Sequence, residues 1–382
     1  MKNNIILSHD FQSQVLENLR LPLAILVVFM HSASLNGFSI PNWYDMSGMD
    51  INVAIQLLFA HVLGPVAVPT FYMISGYFFF YKVKEFDLKL YKEKLIKRVH
   101  SLLIPYLLWN SLYILWIVSM KFGAFLFKGK PLSNLIDFFR EKQGLRMFWD
   151  CNVWDFHFTN VLGQSTPPSG PILVPLWFLR DLIIVILITP IIYFLIKKFK
   201  HFSIIVLGLC YITGIWPYFH GFSITAIFFF SFGAYFSIFG KNLVEVFYRY
   251  NIISLFCIPV LIYVWCFDAF YTCSWMFYIF IMLGAFSFVN VSTIFTGVGH
   301  LYVPQGLSRI TFLVYVSHAF ISLPISKIIL QRIIPQYDTL WVATIIYYLL
   351  IPVLVITISY LLNMILKRIC PGTLGLFTGN RN

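Results

Sequence analysis

Acidic residues are scarce in this chain of 382 residues: 15 Asp and Glu stand against 27 Lys and Arg, and charged residues make up only 11%. A soluble domain needs a polar exterior, so this shortage excludes one. Cysteine is also scarce. The six are Cys151, Cys210, Cys257, Cys266, Cys273 and Cys370, and none stands in a CxxC or metal-ligand spacing. Four read as small packing residues of apolar runs, and Cys266 and Cys273 stand close enough in sequence to face each other across a short loop. No internal repeat, no second soluble domain and no cleavable signal peptide is evident.

What fills the chain is apolar surface. Hydrophobic residues make up 59%, aromatics 19%, and Phe alone accounts for 41 residues; the mean hydropathy is +0.81. Lipid can cover that much apolar surface where water cannot, so the expected fold is all-α, a polytopic transmembrane helical bundle in a single domain over 1–382. Ten apolar spans are predicted, at 19–35, 52–81, 101–120, 172–196, 202–219, 222–239, 252–268, 272–291, 308–330 and 340–366. The second is long enough to break, with Gly64, Pro65 and Pro69 as break points.

The net charge of +12 sits in short stretches between apolar runs, a pattern of membrane orientation rather than of nucleic-acid binding. Lys82–Arg98, Lys197–Lys200, Lys241–Arg249 and Lys367–Arg368 fall on one side if both termini are cytoplasmic. The longest connection, 121–171, is then extracytoplasmic. It carries Trp149, Asp150, Trp154, Asp155 and His157, which suit either sugar stacking or an interfacial lid.

Ionisable residues inside apolar spans are costly and mark candidate sites. Arg20 and His31 are eleven helical steps apart, about 16 Å along an axis and within roughly 20° of one face. Arg20 would stand at the cytoplasmic mouth and His31 deep in the membrane, both facing one water-accessible tunnel. Guanidinium binds phosphate in bidentate fashion, and imidazole deprotonates hydroxyls at neutral pH. Ser75, beside Gly76, is a small polar notch; Gly76 reads as a close helix contact. Lys97 and Arg98 stand at the membrane edge. Trp177, Arg180 and Asp181 begin the fourth span, where the Arg–Asp neighbours form either a structural ion pair or part of an acceptor site. Tyr315 and His318 share a face of the ninth.

The Arg20–His31 segment, Ser75-Gly76 after an aromatic run, Lys97-Arg98 before Pro105-Tyr106-Leu107-Leu108-Trp109, Leu176-Trp177-Phe178-Leu179, and Tyr315 before His318 resemble, in this order, the acyltransferase 3 family of integral membrane acyltransferases. The resemblance covers about 15–365. It implies transfer of an acyl group, usually acetyl, from cytoplasmic acyl-CoA to a hydroxyl of an extracytoplasmic glycan or lipid-linked sugar, in a bacterial inner membrane. It implies acetyl-CoA as cosubstrate, membrane lipids as surroundings, no metal and no nucleic acid. Arg20, Lys97 and Arg98 would hold the donor. His31 would be catalytic, as general base or as a transiently acylated residue. Ser75 and Tyr315 would serve the oxyanion, His318 would assist, and Trp177, Arg180 and Asp181 would meet the acceptor. Pro175 stands where many relatives carry His. No SGNH-type domain is fused, so hand-off to such a domain would occur in trans. The alternative is a secondary transporter or flippase of a glycolipid or small solute, for which buried charges speak and the lack of paired halves does not.

Overall fold

The computed structural model describes residues 9–33, 48–153, 158–261, 274–299 and 302–380. Trp154, Asp155, His157, Cys266 and Cys273 lie outside the described residues, and with them the proposed Cys266–Cys273 contact. Among the described residues helices dominate, and strands are confined to two two-residue antiparallel pairs. Among the described residues six helices are long and apolar enough to cross a membrane, or up to eight if each bent pair counts as one span. The chain is therefore a multi-pass membrane protein, with fewer such spans among the described residues than the ten apolar runs.

The helix α1 (His9–Ser32) runs against α3 (Gly64–Phe80), which follows α2 (Gly48–Gln56) through a π turn at Leu57–Leu63. That turn ends at the expected break point. Pro65 lacks an N–H and its ring crowds the carbonyl four residues back, so the turn widens and the Gly64 N–H donates to Phe59 instead. Pro69, by contrast, sits inside α3. The same device recurs twice. A π turn at Val99–Leu103 joins α4 (Leu88–Arg98) to α5 (Ile104–Lys128) before Pro105. Another at His318–Ser322 joins α13 (Gln305–Ser317) to α14 (Leu323–Ile333) before Pro324.

Between these stand α6 (Ser133–Glu141), α7 (Trp177–Leu187), α8 (Thr189–Phe199), α9 (His201–Thr213), α10 (Ile224–Ile238), α11 (Leu243–Arg249) and α12 (Ser274–Gly297). The run containing α7 and α8 bends by 61° before Pro190, and that containing α10 and α11 bends by 101°. Then come α15 (Trp341–Ile369) and the short α16 (Leu374–Thr378).

The core is centred on α3 and α10. A Cβ on Gly76 would stand 1.9 Å from the Phe230 carbonyl, and one on Gly233 would stand 1.9 Å from that of Met73. The two backbones therefore touch, as small residues permit in lipid, and Gly76 is a packing residue.

The long connection begins later than residue 121, because α5 continues to Lys128. It does not stay outside. The Tyr106 hydroxyl donates to the Phe148 carbonyl, and the Leu173 N–H donates to Asn110 Oδ1 at 3.2 Å, so the stretches around Phe148 and Leu173 pack against α5. The C-terminal tail also folds back. The Trp109 indole N–H donates to the Phe377 carbonyl at 3.1 Å, and Gly379, at a φ of +67°, lies where a Cβ would meet the Ser101 carbonyl.

Candidate active site

Two clusters of candidates emerge, one at each end of the Arg20–His31 stripe, because α1 and α3 are antiparallel. The Arg20 guanidinium lies over the Phe78 ring, 5.1 Å from its centroid. Ten residues on, Met30 meets Gly64. Ser75, three residues before Phe78, therefore belongs to the Arg20 end and not beside His31. Phe71, Ser75 and Phe78 share a half-buried face of α3, while the other residues from 70 to 80 are buried.

At this end α4 contributes a cationic wall. The Lys94 ammonium donates to the Phe79 carbonyl at 2.7 Å and lies 5.1 Å from the Phe79 ring, over which Arg98 also stands at 5.9 Å. Arg98 is close enough for the charge of Arg20 to act on it. No carboxylate forms an ion pair with Arg20, Lys94 or Arg98 among the described residues. The charge of Glu17 acts on Arg20, one carboxylate against several cations, and the excess of positive charge suits an anion, with phosphate the best match to guanidinium forks. Beside them opens a basin of about 530 Å³, lined by Phe79, Lys94, Lys97, Arg98, His100 and Asn380. Lys97 is exposed on its rim. Lys94 was missed in the sequence, although its place one turn before Arg98 puts both on one face of α4.

At the other end two imidazoles meet. His31 on α1 and His318 in its π turn have ring centroids 5.0 Å apart, tilted by 45°. His318 is fully buried, and its Nδ1 lies 2.6 Å from the Tyr315 carbonyl. A carbonyl only accepts, so Nδ1 carries the proton and donates it. Nε2 is left as the basic nitrogen, and it is a buried polar atom with no hydrogen-bond partner. Lys327, on α14, is the charged group acting on His31. Ser317, Ser322 and Ser359, all buried, form a triangle of hydroxyls 3.2–3.4 Å apart next to the His318 turn. Nothing in the sequence marked them, since serine in lipid commonly only bonds its own helix.

The stripe between the two ends is closed rather than an open tunnel. Ala24 and Val27, on the same face of α1, are 1% and 4% exposed. Arg20 and His31 are each half-buried.

Tyr315 ties the imidazoles to the inserted connection. Its ring centroid is 6.1 Å from that of His318 and 5.5 Å from that of Phe178, and its hydroxyl donates to the Pro175 carbonyl. That proton is already committed, so it serves an oxyanion only after release. Pro175 contributes its backbone oxygen here. Trp177 packs against the main core. Arg180 and Asp181 form a buried pair, each side chain 4% exposed, with Nη2 2.9 Å from Oδ1. Arg180 also donates to the Trp149 carbonyl at 2.7 Å and stands over the Trp149 ring at 5.7 Å. Trp149 is thus engaged in holding the connection. No group of three or more His, Cys, Asp or Glu side chains gathers to hold a metal among the described residues.

The arrangement is a basic, anion-seeking mouth joined by one helix to a buried pair of imidazoles. No curated protein and no solved structure matches the chain significantly. The model of the acyltransferase domain that defines the acyltransferase 3 family matches residues 14–364, nearly the whole chain, and the protein is a member of that family of membrane acyltransferases.

Proposed function

We propose that this protein moves an acyl group, acetyl in the simplest case, from cytoplasmic acyl-CoA to a hydroxyl of an extracytoplasmic or lipid-linked glycan in a bacterial inner membrane. The carrying observation is the His31–His318 pair, with an unpaired His318 Nε2, at the far end of a helix whose near end presents the Arg20 guanidinium over Phe78. A polyanionic nucleotide suits Arg20, Lys94, Lys97 and Arg98, and its slender thioester arm suits the apolar stripe towards His31. The basic segments support a cytoplasmic position for this mouth and for both termini. Because Ala24 and Val27 are sealed, the arm enters only as side chains along the stripe part.

In the acceptor step an imidazole takes the proton of the incoming hydroxyl as the carbonyl is attacked. The reading is tested with purified protein in lipid nanodiscs and labelled acetyl-CoA. Wild type releases CoA and passes label to envelope glycan. His31→Ala inserts normally and releases none. Equal thioester cleavage by His31→Ala overturns the proposal.

A further inference from the structure

Three separate stretches of the inserted connection and its neighbour meet at Ser169. Its Oγ lies 2.5 Å from Nδ1 of His220. On the other side of that ring, Nε2 lies 3.5 Å from Oδ2 of Asp150. Asp150 is gripped by Arg146 through two bonds of 2.7 Å, and it is only 7% exposed. The carboxylate accepts only, so Nε2–H faces Asp150 and the Nδ1 lone pair faces the serine hydroxyl. The Tyr218 hydroxyl, 3.2 Å from Nδ1, donates to the Pro167 carbonyl and does not compete for that lone pair as a donor. Gly221, at a φ of +91°, lets the Trp149 ring lie 2.9 Å from where a Cβ would be, which fixes the backbone beside His220.

A hydroxyl bonded to an imidazole, with a carboxylate on the imidazole's far nitrogen, is the arrangement of an activated nucleophile. A fourth group completes it. Nη1 of Arg180 is 3.4 Å from Ser169 Oγ, so a fixed positive charge stands where negative charge develops on that oxygen. The position is also apt. Six residues beyond Ser169, the Pro175 carbonyl accepts the Tyr315 hydroxyl, and Tyr315 lies against His318. The serine thus stands on the same segment that touches the imidazole pair.

We propose that Ser169, His220 and Asp150 form a second acyl-transfer centre, in which Ser169 carries the acyl group as an ester before the acceptor hydroxyl takes it. The proposal rests on the acyl-CoA reading above for its donor. In the first step Ser169 Oγ bonds to the thioester carbonyl carbon, and the C–S bond breaks. The serine proton passes to His220 Nδ1 and on to the departing thiolate. In the second, the acceptor oxygen bonds to the same carbon and gives its proton to Nδ1; the C–Oγ bond breaks and Ser169 recovers that proton. No electron is gained or lost overall. Ser169 and Asp150 are buried, while the His220 side chain is 27% exposed, which leaves one approach for the acceptor.

The test uses the full chain in nanodiscs and two probes. A fluorophosphonate reports an activated serine without any acyl-CoA, and peptide mass spectrometry locates it. Wild type is labelled at Ser169, and labelling falls about 100-fold or more in His220→Gln. Burial holds the His220 imidazole below its ordinary value, Arg180 and Arg146 adding to this and Asp150 opposing it. Labelling is therefore full at pH 7 and declines only at a pH below the ordinary imidazole range. With labelled acetyl-CoA and an acid quench, acetyl is recovered on the Ser169 peptide and is absent in Ser169→Ala. Unlabelled Ser169 in wild type that still cleaves acetyl-CoA overturns the second centre and leaves the proposed function standing. Fluorophosphonate-labelled Ser169 with no acetyl-CoA cleavage overturns the donor reading instead.

Discussion

His318 shows how one backbone contact decides chemistry. By donating Nδ1–H to Tyr315, it keeps Nε2 as a base beside His31. His318→Ala is therefore expected to lower kcat by about 10²–10⁴-fold and to leave KM for acetyl-CoA nearly unchanged. Arg20→Ala should do the reverse, raising KM about tenfold for one lost charge-assisted bond while kcat moves less. Steady-state kinetics of the two variants check this, and a swapped pattern contradicts the assignment. Arg180 is a different case. Its loss leaves Asp181 buried without its partner, so Arg180→Met should cost about 3–5 kcal/mol. The exposed Arg140–Asp137 pair at 3.9 Å offers the contrast: Arg140→Ala should change stability by less than about 1 kcal/mol. Thermal unfolding in detergent compares them. Arg20, His31 and His318 stood out in the sequence as candidates, because a charged or titratable group in an apolar run is costly to bury. Ser169 and His220 went unmarked, and Asp150 was marked only with its aromatic neighbours, for sugar stacking or a lid. They lie on loops 51 and 19 residues from Ser169, in polar surroundings where each residue type is ordinary, and only folding of the connection into the bundle joins them.

Helices carry the geometry, and prolines set their breaks. Each π turn ends two residues before a proline, so the sequence marked the Gly64 break through Pro65, although Pro69 is tolerated within α3. The form of the break was not legible, since a kink, a gap and a π turn all relieve the same missing N–H. The α3–α10 contact yields a paired prediction. Gly76→Ala drives a methyl group into the Phe230 carbonyl, and the bundle should fail to assemble or melt well below wild type. Gly123→Ala, on α5 with nothing within 4 Å, should be neutral or stabilise by up to about 1 kcal/mol. Size-exclusion profiles and melting curves decide; equal behaviour of the two variants contradicts the contact.

At the scale of the molecule, composition alone established an all-α membrane bundle, since no other fold hides this much apolar surface. Span count was harder to read. Apolar runs report burial in lipid or in protein alike, and short helices, bent pairs and an inserted connection all contribute runs that do not cross by themselves. The tail after Arg368 carries no apolar run of its own, yet it closes one side of the cationic basin. In the proposed reaction the nucleotide would be held at the basic end, the acyl group carried along α1 to the imidazoles, and product formed towards the connection between α5 and α7. Sealed vesicles with the basic segments outward and labelled acetyl-CoA supplied only outside test this most directly. The account predicts free CoA outside and acyl-labelled glycan within the lumen, both lost in His31→Ala. Label reaching glycan only when acetyl-CoA is placed in the lumen would contradict it.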